Sequence, residues 1–110
     1  MTALEKLEKN GVHLDYDEIV RLCKKYGLKE LAVFGSSIRD DFKEDSDVDF
    51  LISYEDQGVL SYTLFDLVRL KDDFTNLLNR HVDIVEKEAL RNPMRKKMIL
   101  STAEVIYANQ

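Results

Sequence analysis

The sequence has a single cysteine and no excess of basic residues. Cys23 is its only cysteine, which excludes an intramolecular disulfide and a cysteine-based zinc cluster, so we expect a small buried hydrophobe at this position. The 16 Lys and Arg residues are outnumbered by 21 Asp and Glu residues, which gives a net charge of −5. Because broad binding of nucleic acid needs clustered cations, this composition argues against a polymerase.

Long apolar runs and targeting signals are also missing. No run approaches the roughly 20 apolar residues that span a bilayer, and the acidic segment 1–10 lacks the cationic start and apolar centre of a signal peptide. We therefore expect a cytoplasmic protein. With 110 residues, the chain is predicted to form a single domain, residues 1–110, with no room for a second catalytic or specificity domain.

The most informative stretch that is present is residues 31–52. Two strand-like apolar runs, 31–34 and 47–52, enclose the small-residue turn Gly35-Ser36-Ser37 and a polar loop. Because side chains alternate along a strand, Asp47 and Asp49 are predicted to project to one face and Val48, Phe50 and Ile52 to the other. One face of this strand is therefore acidic, and the other belongs to the core.

The chemistry of these residues points to a metal and a phosphate. Two neighbouring carboxylates repel each other and stay ionised only beside a positive charge, and oxygen ligands suit Mg²⁺ or Mn²⁺. Gly35 permits close approach of the backbone, and Ser36 supplies a hydroxyl and an amide where a following helix is predicted to begin. A Walker A loop and a G-x-G-x-x-G loop are both absent.

Gly35-Ser36, ten further residues and then Asp47-x-Asp49 resemble the signature of the nucleotidyltransferases related to DNA polymerase beta. With Arg39 and the run 46–50, the chain is most similar to the minimal nucleotidyltransferases, the MNT-domain proteins often paired with a HEPN toxin. The resemblance extends over roughly residues 15–107.

A third element fits the same family. The run 81–85, His-Val-Asp-Ile-Val, matches the later strand that carries the family's third carboxylate, here Asp83. One departure lies after Arg39, where many relatives have glycine and this chain has Asp40. That difference concerns the conformation of the loop more than the chemistry.

The resemblance implies a fold and a set of site residues. The fold is of the α+β class, with a small mixed β-sheet flanked by helices in a minimal polymerase-beta-like form. ATP would donate AMP, and two Mg²⁺ ions (or Mn²⁺) roughly 3.5–4 Å apart would neutralise the triphosphate and align the acceptor hydroxyl. The implied metal-binding and catalytic residues are Asp47, Asp49 and Asp83. The implied phosphate-binding residues are Gly35, Ser36, Ser37 and Arg39.

The resemblance also implies a partner. Minimal nucleotidyltransferases typically act as antitoxins that transfer AMP to a tyrosine of a HEPN ribonuclease toxin. The toxin's own Arg-x(4–6)-His signature is absent here, since no arginine precedes His13 or His81 at that spacing, so the toxin must be another chain. Two alternatives stay open: a nucleotidyltransferase that acts on a small hydroxyl compound, and a binding protein that occludes its toxin without turnover.

Several of these residues also have ordinary structural interpretations. Asp-x-Asp alone is usually a solvated turn, and a calcium loop is excluded because Phe50 stands where glycine is needed. Arg39 could serve as a surface ion-pair residue, and the two histidines fit solvent-facing or structural positions. The basic residues near the C-terminus could form the solvated face of a helix or contact the triphosphate or an acidic partner: Arg91, Arg95, Lys96 and Lys97.

Periodicity and capping residues predict the remaining elements. A helix is expected over 15–26, with Asp15 as N-cap and Gly27 as terminator, and a weakly amphipathic segment precedes it around Leu4 and Leu7. Gly58 is predicted to end the second strand. A long helix should cover 61–78, with Ser61 as N-cap and Asn79 in a left-handed C-cap, and a strand should cover 82–85. Pro93 should start a last helix, and 105–107 fits either an edge strand or a helix end.

Overall fold

The computed structural model describes residues 2–55 and 64–109, which contain four helices and four strands. The helices are α1 (Ala3–Lys9), α2 (Tyr16–Lys25), α3 (Leu64–Leu78) and α4 (Pro93–Thr102), and the strands are β1 (Leu28–Phe34), β2 (Val48–Tyr54), β3 (Val82–Glu86) and β4 (Glu104–Ala108). Two short 3₁₀ turns, Gly35–Ile38 and Lys87–Ala89, follow β1 and β3. Within the described ranges, no helix has the length and apolar character needed to cross a membrane.

The four strands form one mixed sheet in the order β3-β2-β1-β4. β1 pairs antiparallel with both β2 and β4, whereas β2 pairs parallel with β3. This arrangement confirms the predicted α+β class with a small mixed sheet. It also decides between the two interpretations of residues 105–107, which lie in edge strand β4.

Each face of the sheet has its own hydrophobic cluster. The larger cluster joins α1, α2 and α3 to alternate strand residues, and at its centre the rings of Phe50 and Phe74 lie 4.9 Å apart. The smaller cluster, on the opposite face, brings Ala32 and Leu51 together with Leu90 and with Ile99 of α4. Asp49 alternates with Phe50 along β2 and so lies on the face of the smaller cluster.

Most of the predicted helix ends are confirmed. The Asp15 side chain accepts hydrogen bonds from the N–H groups of Asp17 and Glu18 at the start of α2, and Pro93 occupies the first turn of α4. Gly27 (φ +66°) and Asn79 (φ +52°) have the left-handed conformation expected after α2 and α3. Cys23 is fully buried, which confirms the prediction of a small buried hydrophobe at this position.

The boundaries differ from prediction in several places. β2 begins at Val48 and runs to Tyr54, so Asp47 lies just before the strand rather than in it, and β3 extends to Glu86. β1 begins at Leu28 rather than at residue 31, because pairing with β2 and β4 extends it beyond its apolar run. A single 3₁₀ turn, Gly35–Ile38, replaces the predicted short helix. The first residues also form a well-defined helix, α1, where the sequence indicated only a weak one. The predicted roles of Gly58 and Ser61 lie outside the described residues.

Candidate active site

The register of the parallel strands brings two of the predicted carboxylates together. Asp49 of β2 lies opposite Asp83 of β3, between the pairs Val48–Val82 and Phe50–Ile84. Both side chains therefore project from the same face, as alternation predicts for Asp49. Asp47 immediately precedes β2 and is exposed, as is Asp83, whereas Asp49 is half-buried. The acidic edge is the name used below for Asp47, Asp49 and Asp83.

The electrostatics of the acidic edge are concentrated on Asp49. The pKa of the Asp49 carboxyl is raised from its ordinary value of 3.8 to about 6, first by burial and then by the negative charges of Asp83 and Asp47. The Arg39 guanidinium acts in the opposite sense and lowers this pKa. Asp49 thus lies where negative charge is crowded and a cation would be stabilised.

Gly35 brings the turn after β1 directly against this carboxylate. Its φ of +70° is in the left-handed region, and a Cβ atom built on it would lie 2.5 Å from Oδ2 of Asp49. A side chain at this position would therefore be strained and would also collide with the carboxylate. The close approach predicted from the sequence is present, and Asp49 occupies the space that a Cβ atom would need.

Ser37 has a position that the sequence did not indicate. Its side chain is fully buried. The Ser37 hydroxyl donates to the carbonyl oxygen of Phe34 at 2.7 Å, and the Ser37 hydroxyl oxygen accepts a hydrogen bond from the Asp49 N–H at 3.3 Å. The hydroxyl thus links the end of β1 to Asp49 and is already engaged by two backbone groups. Ser36, next to it in the turn, is half-buried, and its phosphate-binding role stays a prediction.

Asn10, the residue after α1, also belongs to the site, although sequence reasoning missed it. Its side-chain amide donates to the carbonyl oxygens of Ser37 at 2.8 Å and Arg39 at 3.0 Å. These bonds fasten the 3₁₀ turn to α1. An asparagine before a glycine normally signals only a local turn, so the sequence carried no sign of a contact across 27 residues.

Arg39 lies at the end of the turn and is exposed. Its Nε donates to Oδ1 of Asp41 at 3.1 Å, so the ion-pair interpretation is confirmed, yet its charge also acts on Asp49. A cleft of about 590 Å³ opens beside it, lined by Lys6 and Lys9 of α1, Asn10 and residues 38–41. Three cationic side chains thus lie in or near one opening next to the Gly35–Ile38 turn.

The carboxylates of the acidic edge suit a magnesium or manganese ion whose remaining ligands come from water or substrate. Within residues 2–55 and 64–109, no three side chains of His, Cys, Asp or Glu are placed to hold a metal ion by themselves. The three predicted metal ligands, Asp47, Asp49 and Asp83, are therefore not gathered into a ready-made metal site. Mg²⁺ is normally held by one or two carboxylates together with water and substrate phosphates, which suits this arrangement.

The other residues singled out in the sequence occupy ordinary positions. His13 is exposed and its Nδ1 lies 2.7 Å from Oε1 of Glu8, and His81 is exposed. The basic residues of the C-terminal segment are exposed as well, which fits a solvated face, while contact with a triphosphate or an acidic partner stays a prediction: Arg91, Arg95, Lys96 and Lys97.

Comparison with known proteins identifies the family of the chain. Residues 18–106 match the nucleotidyltransferase domain family, so the chain belongs to that family. Its relatives include the protein adenylyltransferase MntA of Thermococcus cleftensis, 35% identical over 78% of this chain and 80% of the relative. A Methanocaldococcus jannaschii protein, provisionally named a protein adenylyltransferase, is 38% identical over 71% of this chain and 76% of that protein.

Solved structures place the fold among the minimal nucleotidyltransferases. One structure provisionally described as a minimal nucleotidyltransferase superposes with a TM-score of 0.68 at 34% identity, covering 94% of both chains. A toxin-antitoxin complex with AMP-PNP gives 0.69 at 17% identity over 88% of this chain and 76% of that chain. A complex of a tri-AMPylated Shewanella oneidensis HEPN toxin with its MNT antitoxin gives 0.61 at 15% identity over 94% and 74%. The last two likenesses concern the fold alone.

Proposed function

We propose that this protein is an antitoxin that transfers AMP from ATP to tyrosine hydroxyls of a HEPN ribonuclease toxin and thereby neutralises it. The observation that carries the proposal is the pairing of Asp49 with Asp83 beside the Gly35 turn. The names of the relatives support the type of transfer. The tri-AMPylated HEPN toxin found with an MNT antitoxin supports the acceptor.

In this proposal the acidic edge binds the catalytic metal. A bound Mg²⁺ or Mn²⁺ pair would lower the charge of the triphosphate and favour ionisation of the acceptor hydroxyl. Asp47 and Asp49 are the residues that would hold the triphosphate-bound ion. Exposed Asp83 would contact the ion on the acceptor side, and the backbone of the Gly35–Ile38 turn, with Ser36 and Arg39, would hold the phosphates.

The proposed reaction is an in-line attack of the tyrosine hydroxyl on the α-phosphorus of ATP. The tyrosine oxygen forms a bond to the α-phosphorus of ATP, the bond from that phosphorus to the bridging oxygen breaks, and pyrophosphate leaves with the electron pair. The tyrosine proton passes to a carboxylate or to water. The carboxylates of Asp47 and Asp83 are exposed, so a protein acceptor could reach them, whereas Asp49 is half-buried.

The test is the intact mass of a HEPN protein encoded beside this chain, after incubation with this protein, ATP and Mg²⁺. We expect one or more AMP units to be added, and we expect Asp47→Asn/Asp49→Asn to abolish the addition. Asp45→Asn is the matched control, because Asp45 is an exposed carboxylate just before Asp47 in the chain and lies outside the acidic edge.

Three other results would contradict parts of the proposal. A tight complex without any gain in mass would contradict transfer to this partner and would favour occlusion of the toxin. Addition of AMP that persists in the double variant would remove Asp47 and Asp49 from the catalytic site. Transfer to a small hydroxyl compound but not to the protein would support the small-substrate alternative.

A further inference from the structure

We propose that Arg80 is a positioning residue for nucleotidyl transfer, because it holds the loop that leads into Asp47. This inference rests on the proposed function and adds to it a residue that the sequence motifs do not include. The loop in question, residues 42–46, is called the entry loop here. It connects the region after the Gly35–Ile38 turn to β2.

The guanidinium group of Arg80 contacts most of the entry loop. Nε of Arg80 donates to the carbonyl oxygen of Ser46 at 3.1 Å, and Nη2 donates to the carbonyl oxygens of Lys43 at 2.8 Å and Glu44 at 2.5 Å. The same group lies over the ring of Phe42, with Cζ 4.3 Å from the ring centroid. Four of the five residues of the loop are thus in direct contact with Arg80.

The chemistry of these contacts is specific to arginine. The planar guanidinium offers five N–H donors in a fixed arrangement and stacks on aromatic rings, whereas a lysine ammonium acts as a compact point charge. Three carbonyl oxygens that point towards one group would repel one another without a donor among them. Two hydrogen bonds within the loop do not involve Arg80: the Ser46 N–H donates to the Lys43 carbonyl oxygen at 3.0 Å, and the Lys43 N–H donates to the Ser46 hydroxyl oxygen at 3.1 Å. We therefore expect loss of the guanidinium to loosen the loop rather than to unfold it.

The backbone around Arg80 ties the same loop to the neighbouring strand. Asn79, in the left-handed conformation, reverses the chain after α3, and the His81 carbonyl oxygen accepts from the Val48 N–H at 3.1 Å. The segment 79–81 thus fixes the start of β2 through its backbone and the entry loop through the Arg80 side chain. It also leads directly into β3, which carries Asp83.

This position matters for Asp47 in particular. Asp49 is held inside a strand, by its register with Asp83 and by the bond from its N–H to Ser37. Asp47 precedes the strand and has an exposed side chain, so its location depends on the backbone of the entry loop. A displacement of about 1 Å in a positioning element can lower a rate by about 10²-fold.

The experiment compares Arg80→Ala and Arg80→Lys with Arg91→Ala. Arg91 is the matched control, since its Nη1 also donates to a backbone carbonyl, that of Glu88 in the second 3₁₀ turn at 2.8 Å, and among the described residues it bonds to neither the entry loop nor the acidic edge. Three quantities are measured: the rate of AMP transfer to the HEPN partner, the affinity of the nucleotide-free protein for Mn²⁺, and hydrogen exchange of the amides of residues 43–47 in metal-free protein.

We expect Arg80→Ala to transfer AMP about 10²-fold more slowly, to bind Mn²⁺ more weakly and to exchange the loop amides faster. Low millimolar guanidinium chloride should restore part of the rate and of the Mn²⁺ affinity, whereas methylammonium chloride should not. Arg80→Lys should lose rate as well, and Arg91→Ala should retain the wild-type rate. Recovery by guanidinium is the result that a merely destabilised fold would not give.

Other outcomes also decide the proposal. Wild-type rate, Mn²⁺ affinity and amide exchange in both Arg80 variants would overturn it. If Arg80→Ala does not fold, Arg80→Lys decides: a slower rate at an unchanged unfolding midpoint supports positioning, and a wild-type rate refutes it. If the wild-type protein itself transfers no AMP, the proposed function fails, and loop exchange together with Mn²⁺ affinity then tests the role of Arg80 separately.

Discussion

At the scale of single residues, the site depends on the missing Cβ atom of Gly35 as well as on the side chains that are present. Gly35 lies where a Cβ atom would fall 2.5 Å from Oδ2 of Asp49. Its neighbour Ser37 uses its hydroxyl to join the Phe34 carbonyl to the Asp49 N–H. The carboxylate of Asp49 thus lies against Gly35, and its backbone N–H is bound by Ser37, so both residues help to set the position of Asp49.

Gly35→Ala tests the importance of this close approach. The left-handed φ should lower the free energy of unfolding by about 1–2 kcal/mol, and the collision should in addition displace Asp49, so we expect loss of Mn²⁺ binding and of AMP transfer. Stability is measured by urea denaturation and metal affinity by titration with Mn²⁺.

Gly27→Ala is the matched control for this change. Gly27 has nearly the same conformation, with φ +66°, but nothing lies within 4 Å of the added Cβ. It should therefore lose a similar amount of stability while keeping metal binding. Equal effects of both substitutions on metal affinity would show that general strain, rather than contact with Asp49, explains the result.

Residue-level prediction from the sequence succeeded where a local rule applies. Alternation along a strand correctly predicted that Asp49 and Phe50 project to opposite faces of the sheet. Cap preferences correctly predicted Asp15 as the N-cap of α2 and Asn79 as the left-handed residue after α3. The hydroxyl of Ser37 and the amide of Asn10 could not be assigned, because their partners are distant in sequence and are fixed only by packing.

At the scale of elements, the 3₁₀ turn Gly35–Ile38 joins three parts of the fold. It follows β1, its serine contacts β2, and Asn10 after α1 donates to the carbonyl oxygens of Ser37 and Arg39. α1 therefore does more than cover the sheet, since it also fastens the turn next to the acidic edge.

Asn10→Ala measures this contribution. Removal of two side-chain hydrogen bonds, each worth roughly 0.5–1.5 kcal/mol, should lower the free energy of unfolding by about 1–3 kcal/mol and speed hydrogen exchange of the amides in residues 36–39. Asn92→Ala, which removes the N-cap of α4, should cost about 1 kcal/mol without changing exchange in the turn. Unchanged exchange there in Asn10→Ala would refute the anchoring role.

The elements themselves were predictable to different degrees. α2 and α3 have clear helical periodicity, and α3 ends where Asn79 predicts. The extension of β1 to Leu28 depends on its pairing with Tyr54 of β2. The choice of strand for β4 depends on the pairing of Glu30 with Ala108 and of Leu31 with Tyr107, which are far apart in the chain. Short-range periodicity does not contain that information.

At the scale of the whole molecule, the acidic edge opposes the stability of the metal-free protein. The folded pKa of Asp49, about 6, is above its ordinary value of 3.8, so the folded protein binds this proton more tightly than the unfolded chain does. Stability from this group is therefore greatest at low pH and is lost as pH rises through about 6. A metal ion that binds only the folded protein would add to its stability under the same conditions.

Asp49→Asn should accordingly stabilise the metal-free protein in a way that depends on pH. In the presence of a chelator we expect the variant to unfold at a higher temperature than the wild-type protein at pH 8, and the difference should shrink as pH falls from about 6 towards 4. Asp45→Asn provides the control, as an exposed carboxylate outside the acidic edge. A difference in unfolding temperature that is the same at pH 8 and pH 4 would contradict the assignment of this charge to Asp49. With Mn²⁺ in place of the chelator, the order at pH 8 should reverse, because only the wild-type protein keeps the carboxylate that the cation needs.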